Sequence, residues 1–144
     1  MSSSQAAIRR VPPVVLTRLS DALSVSDGGF SIHVTTLTEA HSGYAVSTFP
    51  EFEYCAPGPV SRDDIAAYMA SHAAVLASPD VVFGGWRSSG TGLAYLDISV
   101  LVPTRGAALR LARSHSQHAI WDFESCESIS VHHTNDQSTY GEMQ

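Results

Sequence analysis

Residues 81–123 read V-V-F-G-G-W-R-S-S-G-T-G-L-A-Y-L-D-I-S-V-L-V-P-T-R-G-A-A-L-R-L-A-R-S-H-S-Q-H-A-I-W-D-F, and their periodicity decides the fold. Two apolar runs, Val81–Trp86 and Leu93–Val102, flank S-S-G-T-G, whose glycines supply the turn conformations of a hairpin. Pro103-Thr104 then leads into a helix over 105–114, with Ala108, Leu111, Ala112 and His115 on one face. H-A-I-W-D-F predicts a further strand, and S-I-S-V, after E-S-C-E, a last short one. Side chains alternate along a strand. Ala94, Leu96, Ile98 and Val100 therefore share the core face of the longest run, and Leu93, Tyr95, Asp97 and Ser99 share the other.

Working outward, Pro12-Pro13 opens a helix whose Val15, Leu16, Leu19 and Leu23 fall at helical spacing, and Asp27-Gly28-Gly29 stops it. F-S-I-H-V-T-T-L alternates like a half-buried strand, and G-Y-A-V-S-T-F reads as its hairpin partner. The prolines between Pro50 and Pro59 predict a loop, with at most a short edge strand at Glu51–Tyr54. Ser61 is a good N-cap, followed by Asp63 and Asp64 at the positive end of a helix dipole. The stripe Ile65, Tyr68, Met69, His72, Val75 and Leu76 carries that helix to Ser78-Pro79. The expected order is α-β-β-α-β-β-α-β-β. This is an α+β fold, a mixed or largely antiparallel sheet with about three helices. It occupies one domain over 12–131, between a loose lead-in at 1–11 and a polar tail at 132–144.

With 144 residues and 44% apolar content the chain is long enough and apolar enough to bury a core. Its longest apolar runs fall short of the roughly 18 residues of a membrane span, and residues 1–13 hold no apolar signal region. No membrane association and a cytoplasmic location are the expectations. All eight basic residues are arginine, against fourteen acids, for a net charge of −6. That balance argues against direct nucleic-acid binding. It leaves room for an acidic inhibitor of a nucleic-acid enzyme, although the acids are scattered. Cys55 and Cys126 form no C-x-x-C pair and read as small buried apolar residues.

No motif demands a cofactor. G-T-G-L-A-Y lacks the third glycine of a dinucleotide fingerprint and precedes a strand. The seven histidines contain no H-E-x-x-H, and no metal site is expected. His72 and His115 lie on apolar stripes, where a hydrogen-bonded core histidine is the common case. The candidate ligand- or partner-binding residues are Tyr95, Asp97, Ser99, Trp121, Asp122, Arg87 and His115. Asp97 and Asp122 could divide acid and base roles, Arg87 could neutralise phosphate, and Tyr95 or Trp121 could stack on a ring. Each also has an ordinary reading. Asp97 would be a carboxylate on a solvated sheet face, Asp122 a strand-end turn residue, and the tryptophans would pack beneath a helix.

The pattern G-G-W…G-L-A-Y-L-D-I-S…R-G-A-A-L-R-L-A-R-S-H-S-Q-H-A-I-W-D, preceded by D-G-G-F-S-I-H…S-G-Y-A-V-S, resembles small uncharacterised proteins of actinobacteria and their phages or mobile elements. It is also similar to modules of large phage polyvalent proteins. The resemblance spans Asp27 to Asp122, with His118 standing where a less polar residue is expected. It implies an accessory protein in host–phage conflict and supplies no catalytic residues. The leading expectation is a non-enzymatic accessory protein that binds a partner protein or small ligand. The alternatives are a small enzyme for a nucleotide-like or phosphorylated substrate, using Asp97 and Asp122, and the acidic inhibitor. The Ala/Leu-rich helix and exposed strand edges permit a homodimer.

Overall fold

The computed structural model describes residues 11–131. The lead-in and the polar tail, with His132-His133, lie outside the described residues except at Val11. Among the described residues four helices and eight strands follow one another as α1 (Pro13–Ala22), β1 (Gly29–His33), β2 (Thr38–Glu39), β3 (Tyr44–Val46), β4 (Tyr54–Ala56), α2 (Arg62–Ser71), α3 (Ala73–Leu76), β5 (Val81–Arg87), β6 (Ala94–Val102), α4 (Arg105–Ser114), β7 (Ala119–Asp122) and β8 (Glu127–Ser130). A single 3-10 turn, Pro50–Phe52, precedes β4. The strand pairs with a described register are antiparallel, so the fold is α+β.

The described chain forms two compact units, residues 11–40 with 49–99, and residues 41–48 with 100–131. In the first unit the strands run β2-β1-β5-β6, and β4 also pairs with β6. Leu19, Leu23, Ile32, Ile65, Met69, Leu76, Phe83, Leu96 and Ile98 make its core. Phe83 is the hub, meeting Phe30 edge-on at 5.1 Å and stacking on Tyr68 at 5.5 Å. The Tyr68 hydroxyl, on a buried residue, donates to the Phe52 carbonyl at 2.7 Å. This lets an aromatic body pack inside while its polar tip is satisfied. Helix α2 starts where its N-cap predicts: Asp64 N–H donates to Ser61 Oγ at 3.0 Å, and Ser61 N–H to Asp64 Oδ2 at 2.9 Å. This reciprocal pair satisfies two donors the helix itself leaves open.

The second unit has a helix packed on its own run of strands. The last residues of β6 pair with β3, β3 with β7, and β7 with β8. Ala108 and Ala112 of α4 are buried among Val46, Val102, Ile120 and Val131. Two alanines one turn apart let the helix axis come close to the strands. The helix ends at Ser116, whose φ of 57° is the left-handed conformation usually given to glycine. Gln117 N–H then donates back to the Ala112 carbonyl at 2.9 Å.

Three expectations, about pairing, helix length and cysteine burial, change. The run starting at Phe30 does not form a hairpin with Tyr44–Val46, because it turns back after His33. Leu37 N–H donates to the His33 carbonyl at 2.6 Å, and β2 pairs on β1 itself. The partner of β1 on its other edge is β5, while β3 lies between β6 and β7. The helix starting after Ser61 breaks at His72, where φ is −117°, into α2 and α3. The His72 ring lies against Phe52 at 4.7 Å and Tyr68 at 4.5 Å. Finally, Cys55 and Cys126 are both exposed rather than buried.

Because Ser116 holds a conformation that costs an L residue about 1 kcal/mol and glycine nothing, Ser116→Gly is expected to stabilise the protein by about 0.5–1 kcal/mol in urea denaturation. A loss of stability would show that the serine side chain contributes something the backbone argument omits.

Candidate functional site

Strand alternation divides β5 into a core set, Val81, Phe83, Gly85 and Arg87, and an opposite set, Val82, Gly84 and Trp86. On β6 the opposite set is Tyr95, Asp97 and Ser99, and on β1 it includes Ser31, which pairs with Gly84. The β4–β6 register places Cys55 across from Tyr95 and Tyr54 across from Leu96. One step further along the same register, the extended Glu53 stands across from Asp97. This second face of the first unit thus gathers Trp86, Tyr95, Asp97, Glu53 and Ser99.

Its geometry differs from the solvated carboxylate face expected from the sequence. Asp97 is half-buried, and Ser99 is only 8% exposed. A Cβ built on Gly84 would stand 2.6 Å from Asp97 Oδ1, so the carboxyl lies directly over a residue that has no side chain. Burial, and then the charge of Glu53, push the Asp97 carboxyl up to about 6 from an ordinary 3.8. Among the described residues neither the Asp97 carboxyl nor the Ser99 hydroxyl has a hydrogen-bond partner. Burial, followed by the Asp97 and Glu53 charges, also holds the Tyr68 hydroxyl well above its ordinary value.

Beside the carboxyl stands an aromatic pair. The Trp86 and Tyr95 rings stack at 5.9 Å and 19°. Trp86 is 47% exposed and Trp121 39%, so neither is packed away beneath a helix as the sequence suggested. Indole is usually buried because of its area, which is why sequence reasoning favoured the interior.

The remaining candidates do other work. Arg87 points to the core side and each of its three guanidinium nitrogens binds a backbone carbonyl: Nε donates to the Leu23 carbonyl at 2.8 Å, Nη2 to that of Gly58 at 2.9 Å and Nη1 to that of Gly92 at 3.0 Å. It ties the end of α1, the loop before α2 and the β5–β6 turn to one side chain. Trp121, Asp122 and His115 belong to the second unit. Trp121 and Asp122 are consecutive on β7, so they face opposite ways and cannot converge on one ligand atom. Asp122 Oδ1 accepts from Glu124 N–H at 2.9 Å and Ser125 N–H at 3.4 Å, the pattern of an aspartate closing its own turn. Some desolvation raises its pKa. The Glu124 and Ser125 hydrogen bonds and the Arg105 charge outweigh that and hold it below the ordinary value. His115 sits at the C-terminal cap of α4, exposed instead of on the buried stripe.

Glu53 is the residue that sequence reasoning missed. Its signal was the alternation of Glu53 with Cys55 in an extended segment, hidden by the surrounding prolines. Among the described residues no group of three or more His, Cys, Asp or Glu side chains could hold a metal ion. No helix of the described residues is long and apolar enough to cross a membrane. No family model, curated protein or solved structure matches this chain.

Two outcomes follow. Asp97 has a folded pKa above its unfolded one, so the unfolded chain loses the proton first and stability falls as pH rises from about 4 to about 6. Asp97→Asn removes this loss. It is expected to be more stable than the wild type by about 1–2 kcal/mol at pH 7.5, the full shift being discounted for partial solvent access, and equal to it near pH 4. Denaturant melts across that range check it, and a variant less stable at pH 7.5 would mean the carboxylate is well satisfied. Arg87→Lys, which cannot reach three carbonyls at once, is expected to cost roughly 2 kcal/mol in the same assay.

Proposed function

We propose that the protein is a non-enzymatic binding module whose second face in the first unit, carrying Trp86, Tyr95, Asp97 and Glu53, receives a small ligand or a segment of a partner protein. The observation that carries this reading is the exposed Trp86–Tyr95 stack beside a half-buried carboxyl that meets no hydrogen-bond donor among the described residues. An exposed, stacked aromatic pair offers a rigid contact surface at low entropic cost. An unsatisfied carboxylate gains most from a donor brought by something else. The resemblance to actinobacterial and phage proteins suggests an accessory setting for that binding.

The enzymatic alternative has weaker support than the sequence offered it. Arg87 lies on the core side of β5 with each guanidinium nitrogen bound to a backbone carbonyl, and Asp122 closes its own turn. What favours it is Asp97 itself, since a carboxyl raised to about 6 beside a second carboxylate suits a general acid.

Thermal-shift screening of sugars, nucleotides, organic amines and short peptides, run on the wild type and Trp86→Ala, separates the readings. The expected result is a class of compound that raises the wild-type melting temperature by roughly 2 °C or more at saturating concentration and leaves Trp86→Ala unmoved. Turnover of a phosphoester or glycoside that Asp97→Asn abolishes would replace binding with catalysis.

A further inference from the structure

Resting on that reading, we infer that the second face of the first unit receives a guanine nucleoside without phosphate. The base lies over Gly29 against the open side of Trp86, with its N1–H and 2-amino edge on the Asp97 carboxyl. The β1–β5 register supplies the place, because Gly29 stands across from Trp86 and Ser31 across from Gly84. Trp86 thus has Tyr95 on its β6 side and, on its β1 side, an exposed residue with no side chain. Among the described residues Tyr95 is its one ring partner, and 47% of Trp86 is exposed. The β2 register covers Ile32 and His33, so no described strand lies beyond Gly29. A flat ring resting there meets the indole on one side and the bare backbone of β1 below. Its reach to the carboxyl suits a two-ring base. Trp86 and Gly84 are two residues apart on one face, about 7 Å along β5. The Asp97 carboxyl sits over Gly84, with Oδ1 2.6 Å from where a Cβ would stand. Half the length of a purine and one hydrogen bond of about 2.9 Å span that gap together.

The hydrogen-bonding character of the face chooses the base. Asp97, Glu53 opposite it, and Glu39, whose Oε1 accepts from Ser31 N–H at 3.4 Å, are acceptors. Arg87, on the core side, brings this face no donor. A carboxyl so placed gains most from two N–H groups side by side. Guanine carries such a pair along one edge of a ring that also stacks on indole, whereas adenine and hypoxanthine do not. The Ser31 hydroxyl, half-buried and without a partner among the described residues, can donate or accept toward the ring. At its other end the base points past the last row of the sheet. There Asp27 and Ser89 are exposed, and Ser89 N–H donates to Asp27 Oδ1 at 3.2 Å, joining two polar loops that suit the hydroxyls of a ribose. A phosphate would instead approach a chain of net charge −6, which is why the nucleoside and not the nucleotide is named.

The test is an NMR titration of the full chain, following the Trp86 indole N–H and the Gly29 and Gly84 amides. The probes are guanosine, inosine, adenosine, guanosine 5′-monophosphate and methyl glucoside. Guanosine is expected to move these resonances saturably, with a dissociation constant below about 1 mM. Inosine, the same nucleoside without the 2-amino group, should bind at least about tenfold more weakly, and adenosine likewise. The monophosphate should bind about threefold more weakly than guanosine at low salt, with the gap closing as salt is raised. Trp86→Ala is expected to weaken guanosine at least about fivefold, and Asp97→Asn at least about tenfold. Both variants should keep the wild-type circular dichroism spectrum, Asp97→Asn being the more stable protein at neutral pH. Equal binding of guanosine and inosine would overturn the guanine assignment. Tighter binding of methyl glucoside than of guanosine would overturn the heterocycle. Guanosine binding that is unchanged in both variants would overturn the place. If none of the five binds while another class in the thermal-shift screen does, this inference falls and the binding face stands. If nothing binds in either assay, both fall.

Discussion

Two adjacent glycines let β5 serve two purposes at once. A Cβ on Gly85 would meet the Phe30 ring at 2.6 Å, and a Cβ on Gly84 would meet the Asp97 carboxyl at 2.6 Å. The absent side chain of Gly85 lets Phe30 close onto Phe83, the hub of the core in the first unit. The absent side chain of Gly84 lets the Asp97 carboxyl settle, half-buried, over the opposite face. The two consequences come from neighbouring positions because strand side chains alternate. The packing on one face and the electrostatics on the other both depend on that pair.

A carboxylate lowered onto a sheet without a donor is a local conflict. Burial disfavours its charge, and Glu53 across the strand adds a like charge where opposite charges would help. Folding could proceed without it, as the core side of the same strand is complete with Ala94, Leu96 and Ile98. Places where a fold carries a residue against its own stability are where binding sites tend to be found. Arg87 shows the contrasting case on the other side of β5. Its charge is delocalised and its donors are distributed over three carbonyls, so it serves the fold.

Much of the architecture was legible because periodic segments and caps act locally. Ser61 and Asp64 cap α2 as their spacing requires, and α4 occupies the residues its periodicity outlines. Pairing was less legible, because β1 turns back at Leu37 through a positive φ that no alternation pattern announces. The site was legible in part. Tyr95, Asp97 and Ser99 share a face by strand period alone. The degree of burial of that face depends on Gly84, Trp86 and Glu53, which reach it from other segments. Asp122 and His115 stood beside Asp97 among the candidates in the sequence. Only their turn and cap geometry separates them from it.

The most direct test of this account is the titration of the Asp97 carboxyl itself, followed by carbon-detected NMR in the wild type and in Glu53→Gln. The expected midpoint in the wild type is near 6. In Glu53→Gln the midpoint should move down yet stay above the ordinary carboxylate value, because burial is the larger cause and survives the substitution. A wild-type midpoint close to 4 would contradict it, since Asp97 would then be a solvated carboxylate and the face around it an ordinary sheet surface.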